Sequence, residues 1–346
     1  MEKRRNVLMI APTPFFSDRG CHMRVLNSYF RLKRSNFNID LLTYPIGRDM
    51  KGVNIKRTAN LPGYRKTEVG FSIYKPFIDL FLLFRSIKEM RNNDYDIIYA
   101  HLHEGAMIGL VLKKLFNKEL IFDSQGSLVG ELSEQGAIKK QGMISKLVWP
   151  VEKYITKKPD KIITSTQALQ EFITREIKPD KPIEVIEDYP DVSLFNPKVK
   201  KANLKLPKNK KIVVYLGGLQ EYKGIDYLIK SIPYVNDKFH FLIMGYPVER
   251  VKELAKELNI EKRITFTGKI PYEKAPSYLK LGHIAVSPKT LESGEANAKV
   301  YNYLAMNLPV VCFDSKDNRR ILKNKGIYAK PKDIKDLAKK IEEGVR

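Results

Sequence analysis

Two stretches of this sequence concentrate groups able to grip a phosphate ester. The first is Tyr215-Leu-Gly-Gly-Leu-Gln-Glu-Tyr-Lys-Gly-Ile-Asp226. An apolar, strand-like run ends at Leu216, Gly217 and Gly218 permit close approach of the backbone, and a helical pattern begins near Gly224. A strand, glycine-rich turn and helix in succession offer free backbone N–H groups and a positive dipole end, which suits a phosphate. Lys223 adds a cationic donor, worth roughly 1.5–3 kcal/mol as a charge-assisted hydrogen bond. A tight turn that uses glycine for geometry alone is the competing reading.

The second stretch runs from Ser287 to Val311. A strand pattern ends at Ser287-Pro288, and a loop carrying Glu292, Glu295, Asn297 and Lys299 opens a helix that extends to about Met306. Polar side chains gathered at the carboxyl end of a strand occupy the place where an α/β sheet binds ligands. Lys299 and Asn302 are three apart and share one helix face. The structural alternative makes Glu295 and Asn297 helix-start residues and Lys299 a solvated charge. His101 and His103 end another strand pattern, where they either meet an acceptor or sugar hydroxyl or sit in the core. Gly20 and Arg24 place a helix start and a cation within reach of a ligand. Asp94-Tyr-Asp96 spells a metal-binding triplet, but it precedes its strand and is read as strand-start polarity. No cluster has metal-ligand spacing, and Cys21 and Cys312 stand far apart in the sequence.

These residues need a scaffold, and the pattern around them supplies one. Short apolar, β-branched runs at 6–11, 39–43, 96–100, 120–123, 161–165 and 183–187 alternate with helical patterns such as 21–34, 76–90 and 167–177. After a Pro-, Asn- and Lys-rich connection over 188–211, strand-like runs resume at 211–216, 240–244, 263–267, 283–287 and 310–313. Repeated βαβ units predict an α/β fold with two doubly wound parallel sheets, one over residues 1–190 and one over 191–346. A length of 346 residues suits two domains.

The formal charge is +23, from 62 Lys+Arg against 39 Asp+Glu. Residues 1–91 alone hold eighteen basic and seven acidic side chains, a net +11. Such an excess attracts anions: phosphorylated ligands, a membrane surface or nucleic acid. Nucleic acid is disfavoured, because no zinc-finger, RNP-like or helix-turn-helix pattern is found. The apolar run 77–84, with Arg65, Lys66, Lys75, Arg85 and Lys88 nearby, reads either as an amphipathic membrane contact or as a core-facing helix. No run reaches the roughly 18 apolar residues of a membrane span, and the charged start lacks a signal-peptide pattern, so a cytoplasmic protein is expected.

Taken together, residues 217–224, Phe266-Thr-Gly268, Ser287-Pro288 and 299–311 resemble, in order and spacing, the family-4 (group 1) retaining glycosyltransferases. The first half agrees: Ala11-Pro-Thr-Pro-Phe-Phe-Ser-Asp-Arg-Gly20 is similar to that family's first βα loop. Tyr95-Asp-Ile-Ile-Tyr-Ala-His-Leu-His-Glu104 resembles its strand ending in histidine, and Ile121-Phe-Asp-Ser-Gln-Gly126 its acceptor-side loop. The resemblance implies a GT-B fold, with two Rossmann-like domains facing across a cleft, the first for acceptor and the second for donor. It implies transfer of a hexose from a UDP- or GDP-sugar to a hydroxyl acceptor, lipid-linked or a polysaccharide precursor, without metal or other cofactor. Donor-binding residues would be Gly20, Gly217, Gly218, Lys223, Gly268, Glu295, Asn297, Lys299 and Asn302. Catalytic roles would fall to Lys223, Glu295, Gln125, His101 and His103. The sequence also departs from the family: Asn302 and Gly294 stand at its two usual glutamates, Gly218 at its diphosphate-binding Arg, and Gln125 where relatives often carry His. A sugar-nucleotide epimerase using Glu292 or His101, and a non-catalytic sugar-nucleotide binder, are the rival readings.

Overall fold

The computed structural model describes residues 4–67, 72–134, 136–139, 141–290 and 296–345. The chain divides into two compact units, with the change at Asp188 and Tyr189.

In the first unit, β1 (Asn6–Ala11), β2 (Asn38–Thr43), β3 (Ile55–Arg57), β4 (Ile97–His101), β5 (Glu119–Ser124), β6 (Lys161–Thr164) and β7 (Ile183–Val185) form one sheet. Every pairing is parallel, and the order is β3-β2-β1-β4-β5-β6-β7. Its helices are α1 (Gly20–Arg34), α2 (Lys75–Asn92), α3 (Leu102–Phe116), α4 (Leu128–Glu134), α5 (Met143–Lys157) and α6 (Gln167–Phe172). β1 leads outward to β2, whereas β3 leads back across to β4. Right-handed crossovers therefore put α1 on one face of the sheet and α2, α3 and α5 on the other. With helices on both faces, β4 and all of β1 after Asn6 are buried, so they appear in sequence as apolar runs rather than alternations.

The second unit repeats the plan. β8 (Lys211–Leu216), β9 (Phe239–Met244), β10 (Ile264–Gly268), β11 (Ile284–Ser287), β12 (Val310–Phe313) and β13 (Gly326–Ala329) pair in parallel, in the order β10-β9-β8-β11-β12-β13. Helices α7 (Ile225–Ser231), α8 (Glu249–Glu257), α9 (Ala275–Leu279), α10 (Ala298–Ala305), α11 (Lys316–Leu322) and α12 (Ile334–Glu343) cover it. One apolar cluster, including Val213, Tyr215, Phe241 and Ile243, fills one face. Another, including Val214, Leu242, Tyr303 and Cys312, fills the opposite face. Both units are Rossmann-like. In each, the strand order reverses once, between β1 and β4 and between β8 and β11, and such reversals open a crevice at the carboxyl ends of the strands.

Candidate functional site

The glycine-rich turn begins where β8 ends, at the reversal point of the second sheet. Gly217 has φ +148° and Gly224 has φ +80°, both in the range that favours glycine. Their missing side chains make room for specific neighbours. A Cβ at Gly217 would come within 2.9 Å of Lys299 Nζ, and one at Gly224 would collide with the Pro288 carbonyl oxygen. The two stretches singled out in the sequence are therefore packed against each other: the turn after β8 lies against the strand end at Ser287-Pro288 and against the first turn of α10. Gly245, after β9, has no room for a side chain because the Gly217 carbonyl fills that position. Sequence reasoning passed over this glycine, although it follows its strand just as Gly217 follows β8. Gly268, ending β10 with φ +68°, faces open space, as does Gly20 at the start of α1.

Lys299 is the cation this packing aims. Its Nζ lies 4.2 Å from the centre of the Tyr215 ring and donates to Tyr215 Oη at 3.1 Å; that hydroxyl donates to the Gly218 carbonyl at 2.8 Å. Tyr215 is fully buried, so it fixes both the ammonium and the turn beside it. Nothing in the local pattern marks Tyr215 for this role, since it reads as one more residue of a buried strand. Lys223 stands at the other end of the turn, with Nζ 4.9 Å from the Tyr222 ring. Asn302 is partly exposed on the same face of α10 as Lys299. Glu295, with Glu292 and Gly294, lies outside the described residues.

Asn297, read in sequence as holding the donor sugar, is only 3% exposed and donates to Ser287 Oγ at 2.9 Å and to Asn318 Oδ1 at 3.2 Å. Asn318 in turn donates to the Phe313 carbonyl at 2.8 Å. The amide thus clasps the ends of β11 and β12 and sets where α10 begins.

The first unit has its own polar centre at the β1–β4 reversal. Asp123, at 0% exposure, accepts from Arg24 at 2.6 Å, from Tyr99 Oη at 3.0 Å and from Ser28 Oγ at 3.3 Å. Arg24 also meets Asp188 at 2.8 Å and the Ile186 carbonyl at 2.7 Å. Burial pulls down the pKa of its guanidinium, but the two carboxylates outweigh burial and hold it above its ordinary value. Arg24 is therefore committed to this network and is not the ligand-facing cation expected from its place beside Gly20.

His101 Nδ1 lies 3.4 Å from Asp123 Oδ2 and 3.4 Å from Gln125 Nε2, while its Nε2 is buried with no hydrogen-bond partner among the described residues. Burial, only partly opposed by Asp123, lowers its pKa to about 4. Burial also lowers that of His103, whose ring packs on Phe122. Both imidazoles are neutral at neutral pH. Gln125 is buried, and its carbonyl accepts from Ser165 Oγ. The structure thus brings His101 and Gln125 together and places His103 two residues on, in the first turn of α3. Another histidine, overlooked in the sequence, fixes the loop after β1. His22 Nδ1 accepts from the Ser17 N–H at 2.9 Å, which leaves the proton on Nε2 to donate to Thr13 Oγ1 at 2.7 Å.

With this geometry in place, comparison with known proteins decides the family. The family model described as "Glycosyl transferases group 1" matches residues 197–345, and that described as "Glycosyltransferase Family 4" matches residues 20–188. The chain belongs to the group 1, family 4 glycosyltransferases. An uncharacterized glycosyltransferase of Methanocaldococcus jannaschii is 28% identical over 207 residues, covering 56% of this chain and 51% of the relative. A D-inositol 3-phosphate glycosyltransferase of Corynebacterium glutamicum is 24% identical over 218 residues, covering 58% and 51%. The chain spans about half the length of these curated relatives. Among solved structures, sucrose-phosphate synthase from Thermosynechococcus elongatus superposes with a TM-score of 0.81 at 18% identity, covering 98% of this chain and 89% of the other. HepE of Anabaena, solved with UDP and glucose, gives a TM-score of 0.74 at 14% identity, covering 98% and 89%. At such identities the likeness shows the fold, which is GT-B.

Proposed function

We propose that this glycosyltransferase moves a hexose from a UDP- or GDP-sugar to a hydroxyl of a lipid-linked or polysaccharide precursor in the cytoplasm, with retention of configuration and without a metal ion. The observation that carries the reading is the Lys299 ammonium, fixed by Tyr215 against Gly217 where β8 and β11 part. A cation and bare backbone at that point suit a diphosphate. HepE, with UDP and with UDP-glucose, and Staphylococcus aureus TarM, with UDP, are structural relatives solved with nucleotide, which supports such a donor.

In the proposed reaction the bond between the sugar's anomeric carbon and the β-phosphate oxygen breaks, and its electron pair leaves with the diphosphate. The acceptor oxygen bonds to the same face of that carbon, and its proton passes to the departing phosphate. Lys299 and Lys223 would offset the charge that accumulates on the leaving group. Asn302 would meet the ribose and Glu295 the donor sugar, while His101, His103 and Gln125 would line the acceptor side. His101, with its pKa lowered to about 4 by burial, is neutral at neutral pH and so meets an acceptor hydroxyl as a hydrogen-bonding group rather than as a cation. The triplet at Asp94 does not compete for the donor. Asp94 precedes β4, is 71% exposed and pairs with Lys118.

Incubation with a panel of nucleotide sugars, scored for released nucleotide with and without lipid acceptors, tests the reading. Release should depend on acceptor and survive EDTA. No release from any donor, or release abolished by EDTA and restored by manganese, would sink it. Lys223→Ala should weaken UDP or GDP binding by roughly 10- to 100-fold, since about 1.4 kcal/mol is tenfold. Unchanged affinity by calorimetry in a folded variant would remove Lys223 from the site.

A further inference from the structure

The exposed apolar surface of this protein is not scattered. Among the described residues, all but three of the exposed large hydrophobic side chains (Tyr189, Val192 and Tyr234 are the others) lie on or beside α2, α3 and α5. These three helices cover the same face of the first sheet, with α3 packed between α2 and α5. Each carries an inner stripe and an outer one. In α2, Ile78 and Leu82 are buried in the core, while Phe77, Leu80 and Phe84 follow one another at helical spacing on the outside, Phe77 being 61% exposed. The run 77–84 thus both faces the core and presents an apolar exterior, so the two readings offered for it in sequence are not exclusive. In α3 the outer stripe is Met107, Val111 and Leu115; in α5 it is Met143, Leu147, Val151 and Tyr154, with Met143 at 80% and Leu147 at 68%. Single exposed apolar side chains are ordinary, but three adjacent helices with aligned apolar stripes mark a surface that is covered in use.

The charges on these helices identify what covers it. α2, α3 and α5 hold four carboxylates, and each is engaged, Glu89 and Glu152 buried and Asp79 and Glu104 partly so. Asp79 accepts from Tyr44 Oη at 2.5 Å, Glu89 from Lys56 at 2.6 Å, Glu104 from Lys75, and Glu152 from the Val129 N–H at 2.9 Å. The cations are arranged the opposite way: Lys88, Arg91, Lys114, Lys146 and Lys157 are exposed. Lys153 and Lys158 place their ammonium groups 5.0 and 5.9 Å from the Trp149 and Tyr154 rings. Apolar stripes bordered by outward cations, with every carboxylate engaged, match a surface that is apolar inside and anionic at its rim. A second copy of this face would match it less well, because the carboxylates on these helices are already engaged and leave few acidic groups to meet the partner copy's cations.

We propose that the outer face of α2, α3 and α5 is a docking surface for an anionic lipid bilayer. The apolar stripes enter the boundary between headgroups and acyl chains while the lysines and arginines meet the headgroup charge. The inference extends the reading of a lipid-linked acceptor without depending on it, since docking requires no transfer.

Co-sedimentation of the full chain with vesicles tests it. Vesicles of equal phosphatidylcholine and phosphatidylglycerol should carry the protein down, and pure phosphatidylcholine should do so far less. Raising salt, which shortens the Debye length from about 10 Å at 0.1 M to about 3 Å at 1 M, should weaken binding without abolishing it. The double variant Leu147→Glu with Val151→Glu, checked for native circular dichroism, should bind anionic vesicles at least about tenfold more weakly. If that pair does not fold, Lys146→Glu with Lys157→Glu reads the charged part of the same face and should lose the preference for anionic lipid. The proposal is overturned if the parent ignores both vesicle types, if it binds them equally, or if a folded variant binds as the parent does. A dimer that the double variant loses in sedimentation velocity would instead assign the face to a second copy.

Discussion

Lys299→Met is expected to lower kcat by about 10²- to 10³-fold while the protein stays folded, the loss typical of one preorganised donor to a developing anion. The size of the effect follows from where charge appears. A nucleotide sugar already carries a diphosphate, but breaking the anomeric bond adds one further negative charge to it. An ammonium beside that oxygen gains more in the transition state than in the ground state, and only such differential interactions raise kcat. Donor KM should therefore move less than kcat. Methionine keeps most of the side-chain volume over the Tyr215 ring, so the variant reports the charge rather than a cavity. Lys299→Arg should fail to restore the rate, because a planar, delocalised guanidinium does not place a compact point charge where the ammonium sits over the Tyr215 ring. Steady-state kinetics, with UDP affinity by calorimetry as a check on folding, reads both variants. A Lys299→Met enzyme with kcat within about threefold of the parent would place Lys299 outside the reacting centre.

How much of this could be read from the sequence differs from element to element, for physical reasons. β1, β8 and β12 occupy the residues expected of them, because a parallel strand covered on both faces is an unbroken apolar run. β3 and β13 were not expected. They are edge strands of three and four residues, and Ile55-Lys-Arg57 has no apolar run to signal it. The site divides in the same way. The glycine turn is legible because the positive φ of Gly217 and Gly224 favours that residue type, whereas the seat of Lys299 on the Tyr215 ring is not, since that contact spans 84 residues. The pairings of Asn297 with Ser287 and Asn318 were not legible, because loop and helix separate them and no local pattern reports such a contact. The pairing of Arg24 with Asp123, 99 residues away, was hidden for the same reason. The net charge suggests an anionic partner but no place for it. The pattern on which the bilayer proposal rests, paired carboxylates beside the exposed Lys88, Arg91, Lys114, Lys146 and Lys157, is visible only in the structure.

Arg24→Met should destabilise the protein by about 3–5 kcal/mol, the usual consequence of removing one partner of a buried ion pair. Asp123 is at 0% exposure, and without the guanidinium its charge would keep only the Tyr99 and Ser28 hydroxyls as strong donors. Asp188 and the Ile186 carbonyl would lose their tether as well, loosening the end of the first unit. For a unit of this size the loss corresponds to a melting temperature lower by roughly 6–20 °C. The cause can be separated from simple loss of packing. If the uncompensated carboxylate is responsible, Arg24→Met combined with Asp123→Asn should recover more than half of the deficit, because the amide still accepts from Tyr99 and bears no charge. If lost packing dominates, the double variant should melt no higher than Arg24→Met alone. Calorimetric scans of the parent and both variants at neutral pH decide between these. A shift under about 2 °C for Arg24→Met would mean that water or a rearranged side chain compensates Asp123, and that the buried network does not hold the first unit together.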